Sequence, residues 1–258
     1  MATVRLHVEH DLAAGLVIGL LRSQAHYLSH VLRMVRGDSV ALFNGRDGEW
    51  EGAIEATGRG WCSVAIGARL REQAVEPDLW LVFAPVKRAR IDFIATKATE
   101  LGVARLFPVF TRHTAVERVN VERLRANAVE AAEQCGRLTV PEVADPVALE
   151  DLIAGWPVAR RLLVCDETGA APPVAEALSE ARAAGLAEAP WAVMTGPEGG
   201  FAPGELDLLR NSPIVTTVAL GPRILRADTA AIAALACWQA LLGDWQQVGR
   251  FSGHAKGS

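Results

Sequence analysis

The hydrophobic period of this chain changes once, at Leu79, and that change constrains its architecture more than any other feature. Upstream, apolar and polar residues alternate in short runs broken by tight-turn dipeptides. Residues 4–8 alternate, 39–43 follow an Arg36-Gly37-Asp38 turn, and Asn44-Gly45 and Asp47-Gly48 precede 49–54. Residues 61–66 complete the set of short strands, with one helical insertion at 26–34. A period of two, punctuated by Asn-Gly and Asp-Gly, is the signature of half-buried strands joined by hairpins. Residues 1–72 are therefore read as a small β-barrel, and the polar stretch 69–78, which contains Pro77, as a linker.

From 79 to 86 the chain is continuously apolar, which suits a strand covered on both faces. Ile91, Ile94, Ala98 and Leu101 then recur at helical spacing, and Gly102 ends that helix. Strands at 105–110, 161–165, 191–195 and 214–220 alternate with helices at 121–135, 173–184, 203–209 and 229–243. Such alternation predicts an α/β domain with a mainly parallel sheet over 78–245, with 246–258 as a disordered tail.

Composition narrows the function classes. A net charge of −4 argues against a chain that binds nucleic acid over its whole surface. Its distribution is uneven: residues 81–137 carry ten Lys and Arg against six Asp and Glu, and 138–190 carry three against nine. The basic segment fits either a local phosphate-binding face or merely uneven solvated helices. Residues 1–12 lack the basic-then-apolar order of a signal peptide. The apolar stretch 229–243, about four helical turns, is too short to span a bilayer. The four cysteines, at 62, 135, 165 and 237, show no C-x-x-C spacing and are read as reduced thiols of a cytoplasmic protein. No His, Cys and Asp cluster has metal-ligand spacing, so no metal is expected.

Two Gly-rich turns follow expected strands of the α/β domain, where such sheets bind ligands. One is Thr195-Gly196-Pro197-Glu198-Gly199-Gly200-Phe201; the other runs from Leu220-Gly221 through Ile224-Leu225-Arg226 to Asp228. Neither is a phosphate loop, having no G-x-x-x-x-G-K-[ST] and no G-x-G-x-x-G. A nucleotide-like ligand gripped by main chain, without a di- or triphosphate, fits them better; on their own they also fit plain connections.

The segments GPEGGF at 196–201 and LGPRILRADTA at 220–230 resemble two signatures of the RsmE family, within the SPOUT class of methyltransferases. KATELGV at 97–103 behind KRAR at 87–90, and AAEQCGR at 131–137, resemble two more. His26-Tyr27-Leu28, Val31-Leu32-Arg33, Gly37-Asp38 and Phe43-Asn44-Gly45 resemble the family's PUA-like RNA-binding barrel. The matches keep their order over nearly the whole chain. The resemblance implies a trefoil-knotted α/β domain and a homodimer that binds S-adenosyl-L-methionine. It also implies methylation at N3 of a uridine in small-subunit (16S) ribosomal RNA, with the rRNA or the small ribosomal subunit as partner. Two positions depart: Asp228 stands where the family commonly has Glu, and Ala202, where Ser or Thr is frequent, removes a side-chain cap.

The resemblance assigns Thr195, Gly196, Pro197, Glu198, Gly199 and Gly200, with Leu220, Gly221, Ile224, Leu225 and Arg226, to the cofactor pocket. For Ile224 and Leu225 the alternative is core packing. A uridine imide nitrogen must lose its proton before accepting a methyl group, so the site should stabilise negative charge on the flanking carbonyls. Arg226 is assigned that role, the alternative being an ion pair that orients Asp228 or Glu198. Glu198 is assigned to organising its loop, with a base role second. Asp228 is read as the N-cap of the last helix. Lys87, Arg88, Arg90, Arg112 and Arg223, with Arg33 and His26 from the barrel, are assigned to RNA, against the alternative of solvated charge. Two competing readings are an RNA-binding assembly module without catalysis and a tRNA methyltransferase.

Overall fold

The structure is a computed structural model describing residues 4–246, so most of the expected tail lies outside the described residues. The chain forms two compact units, 1–75 with Ala128–Val140, and 76–127 with 141–258.

The first unit opens with β1 (Arg5–His7), β2 (Val17–Gly19) and α1 (Arg22–His26), which continues as a π-helical turn, Tyr27–Val31. The helical insertion thus begins four residues earlier than expected. Leu21, at its start, donates its N–H to Gln24 Oε1 at 3.1 Å, which satisfies one orphan donor. Then come β3 (Ser39–Phe43), β4 (Glu49–Gly58) and β5 (Trp61–Arg71). The ladder runs β1-β3-β4-β5-β2, and β1 joins β3 in parallel. Register shifts between β4 and β5 mark bulges, which bend long strands. Alternate residues such as Leu6, Val40, Leu42, Ile54, Val64 and Ile66 face one buried core.

The linker expected at 69–78 is a correction: Arg69, Leu70 and Arg71 end β5. A buried carboxylate explains the extension. Glu49 accepts from Arg5 Nε at 2.5 Å and from Arg71 Nε at 2.6 Å. The same arginines donate to the carbonyls of Ala132, Glu133, Gly136 and Arg137, binding 128–140 into this unit. Burial opposes the charged form of Glu49, but the hydrogen bonds and charges of Arg71 and Arg5 prevail and hold its carboxyl below the usual range. Because the folded value is depressed, this stabilisation is full above the unfolded value of about 4.3 and is lost as pH falls through the folded one. Glu49→Gln is expected to lower urea stability at neutral pH by about 2–3 kcal/mol, since two half-buried guanidiniums lose their counter-charge. It should also flatten the acid limb of the stability profile. A wild-type midpoint at pH 7 would show that the network contributes nothing.

The second unit holds β6 (Leu79–Phe83), α2 (Arg88–Glu100), β7 (Arg105–Phe110) and α3 (Val121–Cys135), whose last turns belong to the first unit. It continues with β8 (Glu142–Val143), β9 (Val147–Ala148), α4 (Leu149–Ala154), β10 (Arg161–Cys165) and α5 (Val174–Ala183). Last come β11 (Trp191–Thr195), α6 (Pro203–Arg210), β12 (Val215–Val218) and α7 (Ala227–Leu241). All pairings are parallel, in the order β12-β10-β11-β6-β7-β8, with β9 also on β7.

The continuous apolar runs are explained by cover on both faces. Leu79, Leu81 and Phe83 of β6 pack with α2, α5 and α7, whereas Val82 packs on the other side with Leu149, Leu206 and Leu209 from α4 and α6. The segment leaving β12 is held in place by main chain. Ala219 N donates to Pro172 O at 2.8 Å, and Val174 N donates to Ala219 O at 3.0 Å. Helix α7 starts two residues before the expected 229. Its residues Ala231, Ala234, Leu235 and Trp238 are buried within this unit. Among the described residues, no helix is long and apolar enough to cross a membrane.

Candidate active site

Because the sheet is parallel, the carboxyl ends of β12, β10 and β11 lie side by side. The turns leaving them wall a cleft of about 580 Å3, within the usual small-molecule range of about 300–1,000 Å3. Two of these turns are the Gly-rich segments. The third, Asp166-Glu167 and Gly169, carries no glycine signature and escaped the sequence reading.

The turn after β11 presents Thr195, Gly196, Pro197, Glu198 and Gly200 to the cleft. Gly200 has φ +71°, a left-handed backbone that favours glycine, and the Glu167 carboxylate lies over its open face. Gly199, expected in the pocket, does not line it. It faces His113, where a β-carbon would come 3.2 Å from His113 Cβ. His113 Nδ1 lies 3.0 Å from Gly200 O and 3.2 Å from Gly199 O. Carbonyls only accept, so this nitrogen carries the proton and ties the turn down.

The turn after β12 presents Leu220, Gly221, Arg223, Ile224, Leu225 and Arg226. Ile224 is 89% exposed, so the core alternative fails for it, whereas half-buried Leu220 packs against the core below. Arg223 and Arg226 are exposed and, among the described residues, have no ion pair or side-chain hydrogen bond. The backbone of Arg226, φ −67° and ψ 152°, is the N-cap of α7. Asp228, expected at that cap, sits instead inside the first turn, where its Oδ1 accepts the Thr229 N–H at 3.0 Å. Its charge there favours the positive end of the helix.

The side chain of Arg90, expected on RNA, lines the cleft, pairs with Glu198 and approaches Asp228 Oδ2 at 4.0 Å. The ion pair considered for Arg226 with Glu198 is therefore made by Arg90. Two further groups were missed because a partner of each is far away in sequence. Glu205, buried at the start of α6, accepts Arg112 N–H and Ala202 N–H, both at 2.7 Å. The second bond is half of a capping box and partly replaces the cap that Ala202 cannot supply. Asp166 accepts from Arg210 at 2.5 Å and from Thr168 N at 2.8 Å. Burial opposes its charge, but these bonds outweigh it and hold the carboxyl low. The neighbouring Cys165 thiol is pushed up to about 12 by burial, which removes it as a nucleophile.

Of the other residues assigned to RNA, Lys87 is exposed at the N-cap of α2, Arg88 opens that helix, and Arg112 is exposed on the turn after β7. His26 and Arg33 belong to the first unit; His26 stacks on His30 at 4.5 Å.

A family model described as an RNA methyltransferase domain matches residues 74–239, and one described as an RNA methyltransferase PUA domain matches 20–66. Ribosomal RNA small subunit methyltransferase E of Rickettsia conorii is 32% identical over 90% of this chain and 93% of its own length. The protein of that name from Synechocystis is 30% identical over 92% and 78%. Among solved structures, ribosomal RNA small subunit methyltransferase E from Neisseria gonorrhoeae, bound to S-adenosyl methionine, superposes with a TM-score of 0.83 at 25% identity. That match covers 94% of this chain and 99% of the other. Since the larger domain model spans more than half of the residues and full-length relatives agree with it, the chain belongs to the ribosomal RNA small subunit methyltransferase E family.

Proposed function

We propose that this protein transfers a methyl group from S-adenosyl-L-methionine to N3 of a uridine in small-subunit ribosomal RNA, acting in the cytoplasm as a homodimer. The observation that carries this reading is the cleft at the ends of β10, β11 and β12, with two unpaired arginines, Arg223 and Arg226, on its lining. The residues present fit the cofactor. Main chain at Gly196, Gly200 and Gly221 offers close approach to a nucleoside, and the cleft has no phosphate loop. The Glu167 carboxylate offers a counter-charge to a cationic ligand. When bound, the cofactor supplies an electrophilic methyl group.

The chain's own part is positioning and electrostatics. Arg90 and His113 fix the turn after β11, so the main-chain groups facing the ligand are set in advance. Arg226 draws the uracil oxygens and stabilises the negative charge left on them when the N3 proton passes to solvent water. Lys87, Arg112 and Arg223 hold RNA phosphates. The segment leaving β12 is the part that would thread the trefoil knot implied by the resemblance to the SPOUT class. Exposed Ile224 is the apolar group that a second copy covers.

Mass spectrometry of rRNA nucleosides from cells with and without the gene tests the reading. Loss of N3-methyluridine from the small subunit, restored by the wild-type gene, is expected; an unchanged nucleoside profile defeats it. Light scattering of the purified protein should give twice 27.6 kDa, and an active monomer removes the dimer.

A further inference from the structure

Between Asp11 and Asp38 the sequence contains no acidic residue, in a protein whose net charge is −4. That segment builds β2, α1 and the π-helical turn, and it exposes Arg22, His26, His30, Arg33 and Arg36. Arg22, His26 and His30 recur every four residues, so they stand on one face of the helix, with the two imidazoles stacked. Arg33, at φ +56°, closes this stretch in the left-handed region that non-glycine residues rarely adopt.

Beside this stripe stands an aromatic ring whose exposure the barrel core does not explain. Trp61 opens β5 and pairs with Gly58 across the Arg59-Gly60 turn. It is 51% exposed. A β-carbon on Gly58 would overlap the indole at Nε1 and Cε2, so the ring lies against bare glycine backbone. A β-carbon on Gly60 would come 3.4 Å from Arg22 Nε, which places that guanidinium over the same turn. Leu20 N–H donates to Cys62 O at 2.9 Å and ties the start of the helix to β5.

We propose that Trp61 and the Arg22-His26-His30 stripe form a site for a single-stranded stretch of RNA, with one unpaired base stacked on the indole and the following phosphates on the stripe. This rests on the reading of RNA as the substrate and adds where, and in what form, the first unit holds it. A half-exposed indole beside an exposed arginine and two exposed, stacked imidazoles is the arrangement that binds single strands without reading their sequence. A segment that carries three arginines and two histidines and no acidic residue suits a polyanion better than it suits another patch of this acidic chain.

The test is binding of a short unstructured RNA oligonucleotide to the full-length protein, by fluorescence anisotropy at several salt concentrations. Trp61→Ala is expected to weaken binding by about 10-fold with an unchanged salt slope, and Trp61→Phe to recover most of the loss. Arg22→Ala should weaken binding and make the salt dependence shallower by about one ion. The proposal is overturned if Trp61→Ala and Arg22→Ala, folded by circular dichroism, bind as wild type. It is also overturned if Trp61→Ala changes only the oligomeric mass, which would make the patch a protein interface. Wild-type protein that methylates rRNA while both variants keep full affinity sinks this site alone. Wild-type protein that neither binds nor methylates RNA sinks the functional reading with it.

Discussion

Arg226→Ala is expected to slow single-turnover methylation by about 10²-fold or more at saturating RNA and cofactor, the scale of one lost charge-stabilising donor. The structure strengthens the case. Arg90, not Arg226, makes the ion pair with Glu198, so the Arg226 guanidinium is left facing outward on the cleft lining. A contact that strengthens as the uracil becomes an anion acts on turnover more than on ground-state affinity. Cofactor affinity should therefore change little. Arg226→Lys keeps the charge but loses the planar fork, so it should rescue only in part. Lys87→Ala is the contrast: weaker RNA binding, a shallower salt dependence and near-normal chemistry at saturation. A wild-type single-turnover rate for Arg226→Ala would make that residue a binding or structural group.

Gly221→Val should lower the affinity for S-adenosyl-L-methionine by about 10-fold, measured by calorimetry. Gly221 lines the cleft with φ +95°, and no protein atom lies within 4 Å of a β-carbon built there. The new side chain would therefore meet the ligand space rather than the protein. The left-handed backbone costs a non-glycine residue about 1–2 kcal/mol, which by itself is about 5- to 30-fold in affinity if the bound turn must keep that shape. Exposure of the turn keeps the cost to overall stability small, so a normal thermal midpoint should accompany the loss. Unaltered affinity in a folded variant would remove this turn from the cofactor site.

The elements that proved legible are those whose burial is repeated along the chain. Strands 39–43, 105–110, 161–165 and 191–195 and the helix 121–135 form with the expected boundaries. A pleat exposes alternate faces and a helix one stripe, and those periods are written locally. Short elements such as Glu142–Val143, Val147–Ala148 and Leu149–Ala154 were not foreseen, since two to six residues hold too little periodicity to read. The Gly-rich turns were also legible, because close backbone approach demands a particular residue type.

What the sequence by itself determined is thus the change of period at Leu79, the parallel α/β unit behind it, and two of the three turns that wall the cleft. Tertiary structure alone decided which charge meets which. Arg90 and Glu198 are 108 residues apart, His113 and the carbonyl of Gly200 are 87 apart, and Glu205 and the amide of Arg112 are 93 apart. The Glu49 carboxylate likewise drew Arg71 into a strand where local polarity had suggested a linker. Periodicity is a property of neighbours in the chain, whereas an ion pair or a tied-down turn depends on neighbours in space. For such groups no local pattern carries the information, and only the closed sheet brings the partners together.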